Sequence, residues 1–151
     1  MSREPAGPRV ATVEPELLAF LHARRHEPAL GWEPDPPIGA LHCHPDLVAR
    51  LAEIARPVRG TRRVFVAGCP VITHPHGTPI AAASGTSWLA VRSGEPAGEL
   101  ASRWHTPGLE PPWTELDPFA SDVTFARGTD RLRAHVTRAF TLAGAIGAGD
   151  A

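Results

Sequence analysis

Apolar and polar positions repeat with two different periods along this chain, and the change of period separates helices from strands. Thr12-Val-Glu-Pro-Glu opens a first helix near 13–25, with Pro15 in its first turn and acidic residues at its positive end. Leu17, Leu18 and Leu21, with Phe20, form its apolar face, and Arg24 and Arg25 suit its C-terminal end. His44-Pro-Asp has the cap, proline and acid order that starts a second helix near 45–56. Leu47, Val48, Leu51, Ile54 and Ala55 make its stripe, and Pro57 ends it. Beyond Arg63 the pattern becomes that of strands. Residues 64–67, 71–73, 79–83 and 87–92 are short apolar runs separated by turn residues. Gly68-Cys-Pro reads as a break or bulge, and His74-Pro-His-Gly and Ser84-Gly-Thr as tight connections. Residues 95–104 suggest a short helix, and 113–119 a last strand with Pro118 placing its end at a sheet edge. Thr129-Asp130 reads as the cap of a closing helix near 129–143. Its face is Leu132, Val136, Ala139, Phe140 and Ala143, opposite Arg131, Arg133 and Arg138.

These elements predict one α+β domain over 12–143, an antiparallel meander of about four to five strands packed by three or four helices. Tails are expected at 1–11 and 144–151. The four prolines of 28–39 exclude helix and make that stretch an extended connection, with Trp32 as an anchor. A length of 151 residues agrees with a single domain able to bury its own core. Hydrophobic residues make up 42% and charged residues 21%, which excludes general disorder and a coiled coil. No apolar run is long enough to span a bilayer and the start has no apolar h-region, so a soluble cytoplasmic protein is expected.

Composition limits what can be read as selected. Lys, Asn, Gln and Tyr are absent and all 15 basic residues are arginine, the bias of a G+C-rich bacterial coding sequence. Neither the arginines nor the 17 prolines therefore argue for function by number alone. A formal net charge of -1 argues against a dedicated nucleic-acid binder, which carries a basic excess or stripe. The nearest approach to such a stripe is Arg56, Arg59, Arg62 and Arg63 around a turn. Without an export signal Cys43 and Cys69 are expected to be reduced and buried.

Histidine is the one enriched reactive type, with eight copies, four of them in the pairs His42-Cys-His44 and His74-Pro-His76. Residues i and i+2 of an extended segment point the same way, so each pair can present two imidazoles to one metal. Cys69 lies upstream of the second pair and can join it. Zinc or another transition metal is thus the alternative to an expectation of no cofactor. Against it, His44 sits as a helix cap, His74-Pro-His76 as a hairpin tip, and neither C-x₂-C nor H-E-x-x-H occurs. The Ser-Gly-Thr-Ser stretch at 84–87 lacks the strand–turn–helix frame of a nucleophile elbow, and no glycine-rich phosphate loop is present. Trp104 and Trp113 flank a proline-rich loop and can wall a ligand groove.

The run Val64-Phe-Val-Ala, the turn, Pro79-Ile-Ala-Ala-Ala and Ser87-Trp-Leu-Ala-Val-Arg resembles the central meander of the MmcQ/YjbR and TfoX N-terminal domain families. Pro107-Gly, the strand led by Trp113 and a closing helix ending Arg138-Ala-Phe-Thr-Leu-Ala fit the same layout, over about 45–143. The resemblance implies an α+β fold linked to regulation or DNA binding and carries over no site residue. The chain departs from those families in the His74-Pro-His-Gly tip, in its missing lysines and closing tyrosine, and in residues 12–40. The leading expectation is a non-enzymatic binding or regulatory module of unknown ligand. Its alternatives are a metal-binding protein or metal-dependent enzyme built on the two H-x-H pairs, and a nucleic-acid-binding module built on the arginine patch. The partner is unknown, and an edge strand near Pro118 leaves room for a homodimer.

Overall fold

Six strands lie side by side in chain order, each antiparallel to the next, in a computed structural model that describes residues 15–24, 32–33, 41–101, 112–119 and 125–149. The elements run α1 (Pro15–Arg24), β1 (Trp32–Glu33), α2 (Pro45–Ala55), β2 (Arg62–Val66), β3 (Cys69–Thr73), β4 (Pro79–Ser84), β5 (Trp88–Val91), a 3₁₀ turn (Gly98–Leu100), β6 (Thr114–Leu116) and α3 (Phe125–Gly149). This is the expected α+β meander, with one two-residue strand added at the edge. Trp32 pairs with Val66 there, so the proline-rich segment contributes a strand as well as a connection.

Both faces of the sheet are covered, which is why β3, β4 and β5 are buried along their whole length. On one face Leu17 and Leu21 of α1 pack with Val64, Val66, Val71, Ala82 and Ala90. Phe20 meets Trp88 there with ring centroids 5.1 Å apart. On the other face Leu47, Leu51 and Ile54 of α2 and Leu132, Val136 and Ala139 of α3 cover Ile72, Ile80, Leu89, Val91 and Leu116. The run Ala81-Ala-Ala of the inner strand β4 takes little room, which brings the helices close to the sheet. Register shifts between Ile72 and Thr73, so Ile80 and Ala81 both join the α2–α3 side.

Gly68-Cys-Pro is no bulge: Ala67 and Gly68 form a two-residue turn with φ of 53° and 77°, the mirror-image type that matches strand twist. Three boundaries differ from the expectation. The closing helix starts at Phe125, so Thr129 lies inside it and is buried rather than capping. It also continues to Gly149, because alanine's helix propensity offsets the glycines of 144–149 and the expected tail is helical there. The helix expected over 95–104 is a single 3₁₀ turn as far as Ala101. The tail at 1–11 lies outside the described residues. Among the described residues no helix is long and apolar enough to cross a membrane.

Candidate functional site

The two histidine pairs sit at opposite ends of the sheet. Residues 42–44 strap two hairpin turns together. His42 N–H donates to Gly68 O (2.9 Å), Gly85 N–H to His42 O (2.9 Å) and His44 N–H to Gly85 O (2.7 Å). His44 caps α2 as expected, its Nδ1 accepting from Asp46 N–H at 3.1 Å. The His74–Thr78 turn joins the far ends of β3 and β4. Six residues of β4 separate the two ends by about 17 Å at a strand's rise per residue, whereas a zinc ion holds its ligands at about 2 Å. One ion therefore cannot take both pairs.

Cys69 does not complete the second pair either. It begins β3 at the strap end, where its thiol donates to Ser84 Oγ at 3.4 Å and lies 3.7 Å from His42 O. Cys43 is beside it, and burial, reinforced by Cys69, pushes its thiol up to about 12. Both cysteines are free and buried, as expected, and burial favours the thiol over the thiolate at Cys43.

At the other tip, hydrogen bonding uses most of the imidazole capacity. His74 Nδ1 accepts from His76 N–H at 3.3 Å. His76 Nε2–H donates to Ala143 O at 2.8 Å, so its Nδ1 accepts from the Thr78 hydroxyl at 3.2 Å. Three of the four ring nitrogens are thereby engaged, and the two nitrogens nearest the backbone cannot chelate together. The two rings are in tilted contact with centroids 4.0 Å apart, and the His74 centroid lies 4.7 Å from that of Phe140. The hairpin tip is thus docked on α3. Burial first, then His76, holds His74 below the usual 6.5. Among the described residues no group of three or more His, Cys, Asp or Glu side chains is placed to hold a metal ion.

The expected arginine cluster falls at this same end. Arg56 is the C-cap of α2, Arg59 is exposed in the following turn, and Arg62 and Arg63 begin β2. Gly60 has a φ of 90°, which favours glycine, and the turn lies beside the tip: a Cβ there would meet Pro75 Cγ at 3.5 Å, an ordinary contact. A groove of about 390 Å³ opens between α2 and the sheet. It is lined by Ala52, Ala55 and Ile72, and by Arg56, Thr61, Arg62 and Arg63. Neighbouring strand residues point to opposite faces, yet both Arg62 and Arg63 border the groove because it lies at the strand's end. The Arg63 guanidinium lies over the Phe65 ring at 5.2 Å, which orients its plane. Arg59 is not among the lining residues.

Charge along the chain explains the character of this end. No Asp or Glu occurs between Glu53 and Glu95, a span holding five arginines and strands β2 to β5. Glu53, the nearest acid on α2, is paired with Arg50. The negative end of the α2 dipole faces the groove, but Ala52 O and Ala55 O already accept from Arg56 N–H and Val58 N–H. A formal charge of -1 for the whole chain therefore coexists with a stretch of sequence, 54–94, that holds five arginines and no acid, with Glu33 of β1 paired alongside it at Phe65. That acid-free span was the signal available in the sequence for Thr61 and the apolar lining, which a search for motifs does not detect.

The remaining expected site residues do not join this groove. Trp113 is 7% exposed and packs in the core on the α1 side, so it walls no open groove, while Trp104 lies outside the described residues. Arg138 pairs with Glu95 at 2.9 Å. A second depression, lined by Asp46, Ala49, Arg50, Glu53 and Phe119, sets two acids against one arginine and so offers no anion site. Pattern reading also missed a clip between β5 and α3. The Ser93 hydroxyl is hydrogen-bonded to His135 Nδ1 at 2.9 Å and accepts from Glu95 N–H at 3.2 Å. Ser93 is 1% exposed, so the pair has the form of a fastening rather than an accessible nucleophile.

No family model, no curated protein and no solved structure matches the chain.

Proposed function

We propose that the protein is a non-enzymatic binding module that takes an anionic partner at the arginine-lined end of its sheet. The observation that carries this reading is the groove bordered by Arg56, Arg62 and Arg63, in a stretch of sequence, 54–94, that has no Asp or Glu. Arginine's planar fork of donors suits phosphate and carboxylate oxygens, and clustered like charge raises the local anion concentration. The MmcQ/YjbR- or TfoX-like reading is compatible with such a role but contributes no residue to it.

A polyanion tests the reading whatever the natural ligand, because it reports the local positive potential. Labelled duplex DNA titrated at 50 and 200 mM salt is expected to bind with a log–log salt slope of at most about -4, or roughly 10²-fold weaker at the higher salt, for four arginine contacts. Arg56→Gln and Arg63→Gln are each expected to reduce the slope by about one. Binding that ignores salt, or no binding even at low salt, sinks the proposal.

A further inference from the structure

The tip between β3 and β4 leaves the sheet ladder and comes to rest on α3. Register shifts between Ile72 and Thr73, and Pro79, the partner of Thr73, has no N–H to give the ladder. Beyond that point the turn closes on itself, His74 N–H donating to Thr78 O (2.8 Å) and Gly77 N–H to His74 O (2.9 Å). It meets α3 through the His76 Nε2–H bond to Ala143 O, the His74 ring against Phe140, and His74 Nε2 over Gly144.

The two imidazoles answer a proton differently. His76 Nδ1 faces the Thr78 hydroxyl, which can rotate and accept once that nitrogen carries a hydrogen. His74 Nδ1 faces the His76 backbone N–H, which can only donate. A second proton on His74 therefore sets two hydrogens against each other and breaks the bond. Among the described residues neither imidazole has an ion-pair partner. The charged groups nearest in the fold are cations: Arg56 ending α2, Arg59 in the turn beside Pro75, and Arg62, whose strand position pairs with Thr73. On α3, Asp130 precedes Phe140 by about 15 Å of helix and lies by Arg133. His135 and Arg138 stand between, Arg138 paired with Glu95. The His76 ring is 4.0 Å away, and Phe140 offers the cation a ring face whose attraction is weak outside a dry site.

We propose that the His74-Pro-His76 tip is a pH-operated latch, docked on α3 at neutral pH and released from it when His74 takes a second proton. Release uncovers the Phe140 ring and the Ala143 turn of α3, while the ladder inward of the register shift stays paired. Burial and then His76 hold the docked His74 below the usual 6.5, and release returns it there. The released form thus binds more protons as pH falls beneath about 6.5, and one histidine changes the released-to-docked ratio by at most about tenfold per pH unit. The latch involves no anion and stands apart from the reading of the arginine-lined end.

An NMR pH titration of the full chain from pH 8 to pH 5 tests it, following the His76–Ala143 contact, the His76 amide and the His74 ring nitrogens. His74 is expected as the Nε2–H tautomer at pH 8. On acidification the His76–Ala143 contact and the His76 amide shift should be lost in step with His74 protonation, while the contact between Ile72 and Ala81 persists. His74→Gln keeps an acceptor for the His76 N–H and cannot titrate, so its tip should stay docked at pH 5. His135→Gln leaves the tip untouched and should release as the unmodified protein does. A docked tip that carries a doubly protonated His74 at pH 5 overturns the proposal, as does release that His74→Gln fails to prevent. Loss of the Ile72–Ala81 contact in the same step also overturns it, because the whole sheet would then be opening.

Discussion

Arg50 shows how one buried side chain can be mistaken for an ordinary member of a polar helix face. Its position in α2 marks it as solvent-facing by charge, yet it is 5% exposed. Its Nε donates to Pro118 O at 2.7 Å while Nη1 bonds Glu53. The guanidinium thereby ties the end of β6 to α2 across 68 residues of sequence. Arg50→Met keeps the stem's bulk but leaves the Pro118 carbonyl and Glu53 without this donor. The expected cost is about 2–3 kcal/mol, read from urea unfolding with an unchanged m-value. A loss under about 0.5 kcal/mol would show that water replaces the bond freely. Helical spacing puts Arg50 at the flank of the Leu47–Leu51–Ile54 stripe and Arg56 opposite it, but spacing alone does not say what covers that flank. One is buried against a segment brought there by the sheet, and the other is exposed at the groove.

Among the elements, α3 carries more of the fold than its pattern suggested. Its core face was legible in the spacing of Leu132, Val136, Ala139 and Ala143, which are all buried. Its length was not, because Gly144 and the glycines after it read as a stop. In the structure the helix passes Gly144, and the His74-Pro-His76 tip rests against that turn through the bond to Ala143 O. A Cβ on Gly144 would meet His74 Nε2 at 3.5 Å, an ordinary contact. Gly144→Ala is therefore expected to stabilise the protein by up to about 1 kcal/mol through helix propensity alone. A higher melting temperature checks this, whereas a lower one would mean that the tip needs closer approach than the contact indicates.

For the molecule as a whole, two histidines link stability to pH. Burial chiefly lowers both His74, with help from His76, and His135, where Glu95 acts in the opposite direction. The groups packed around His74 are His76 and Phe140, and those around His135 are Ser93 and Glu95, the latter paired with Arg138. Each folded-state value lies below the usual 6.5, so in the window beneath about 6.5 the unfolded chain binds more protons than the folded one. Stability from these groups is complete above that window. It declines as pH falls through it, and the loss levels off once the folded-state histidines are also protonated. Melting temperatures between pH 8 and pH 5 should drop on the acid side, and a His74→Gln/His135→Gln variant should flatten the drop. An identical profile in the variant would assign the pH dependence to other groups.

Local physics alone determined the helix faces, the order of helices and strands, the cap at His44 and the alternation of strands with tight turns. Each depends on neighbours within about four residues, and the structure has them with two exceptions: the added strand β1 and the 3₁₀ turn where a helix was expected over 95–104. Which polar groups share a neighbourhood depended on the meander. Successive antiparallel strands put the turns at 67–68 and 85–87 at one end and the tip at 74–78 at the other. That geometry parts His42 and His44 from His74 and His76, although both pairs have the same spacing in sequence. It also brings the Arg56–Arg63 turn against the His74-Pro-His76 tip, with Ile72 beside Ala52 and Ala55, and so makes a groove from residues that no sequence motif joins. Backbone pairing acts over the length of a strand, and only the folded sheet decides which of its two ends a side chain occupies.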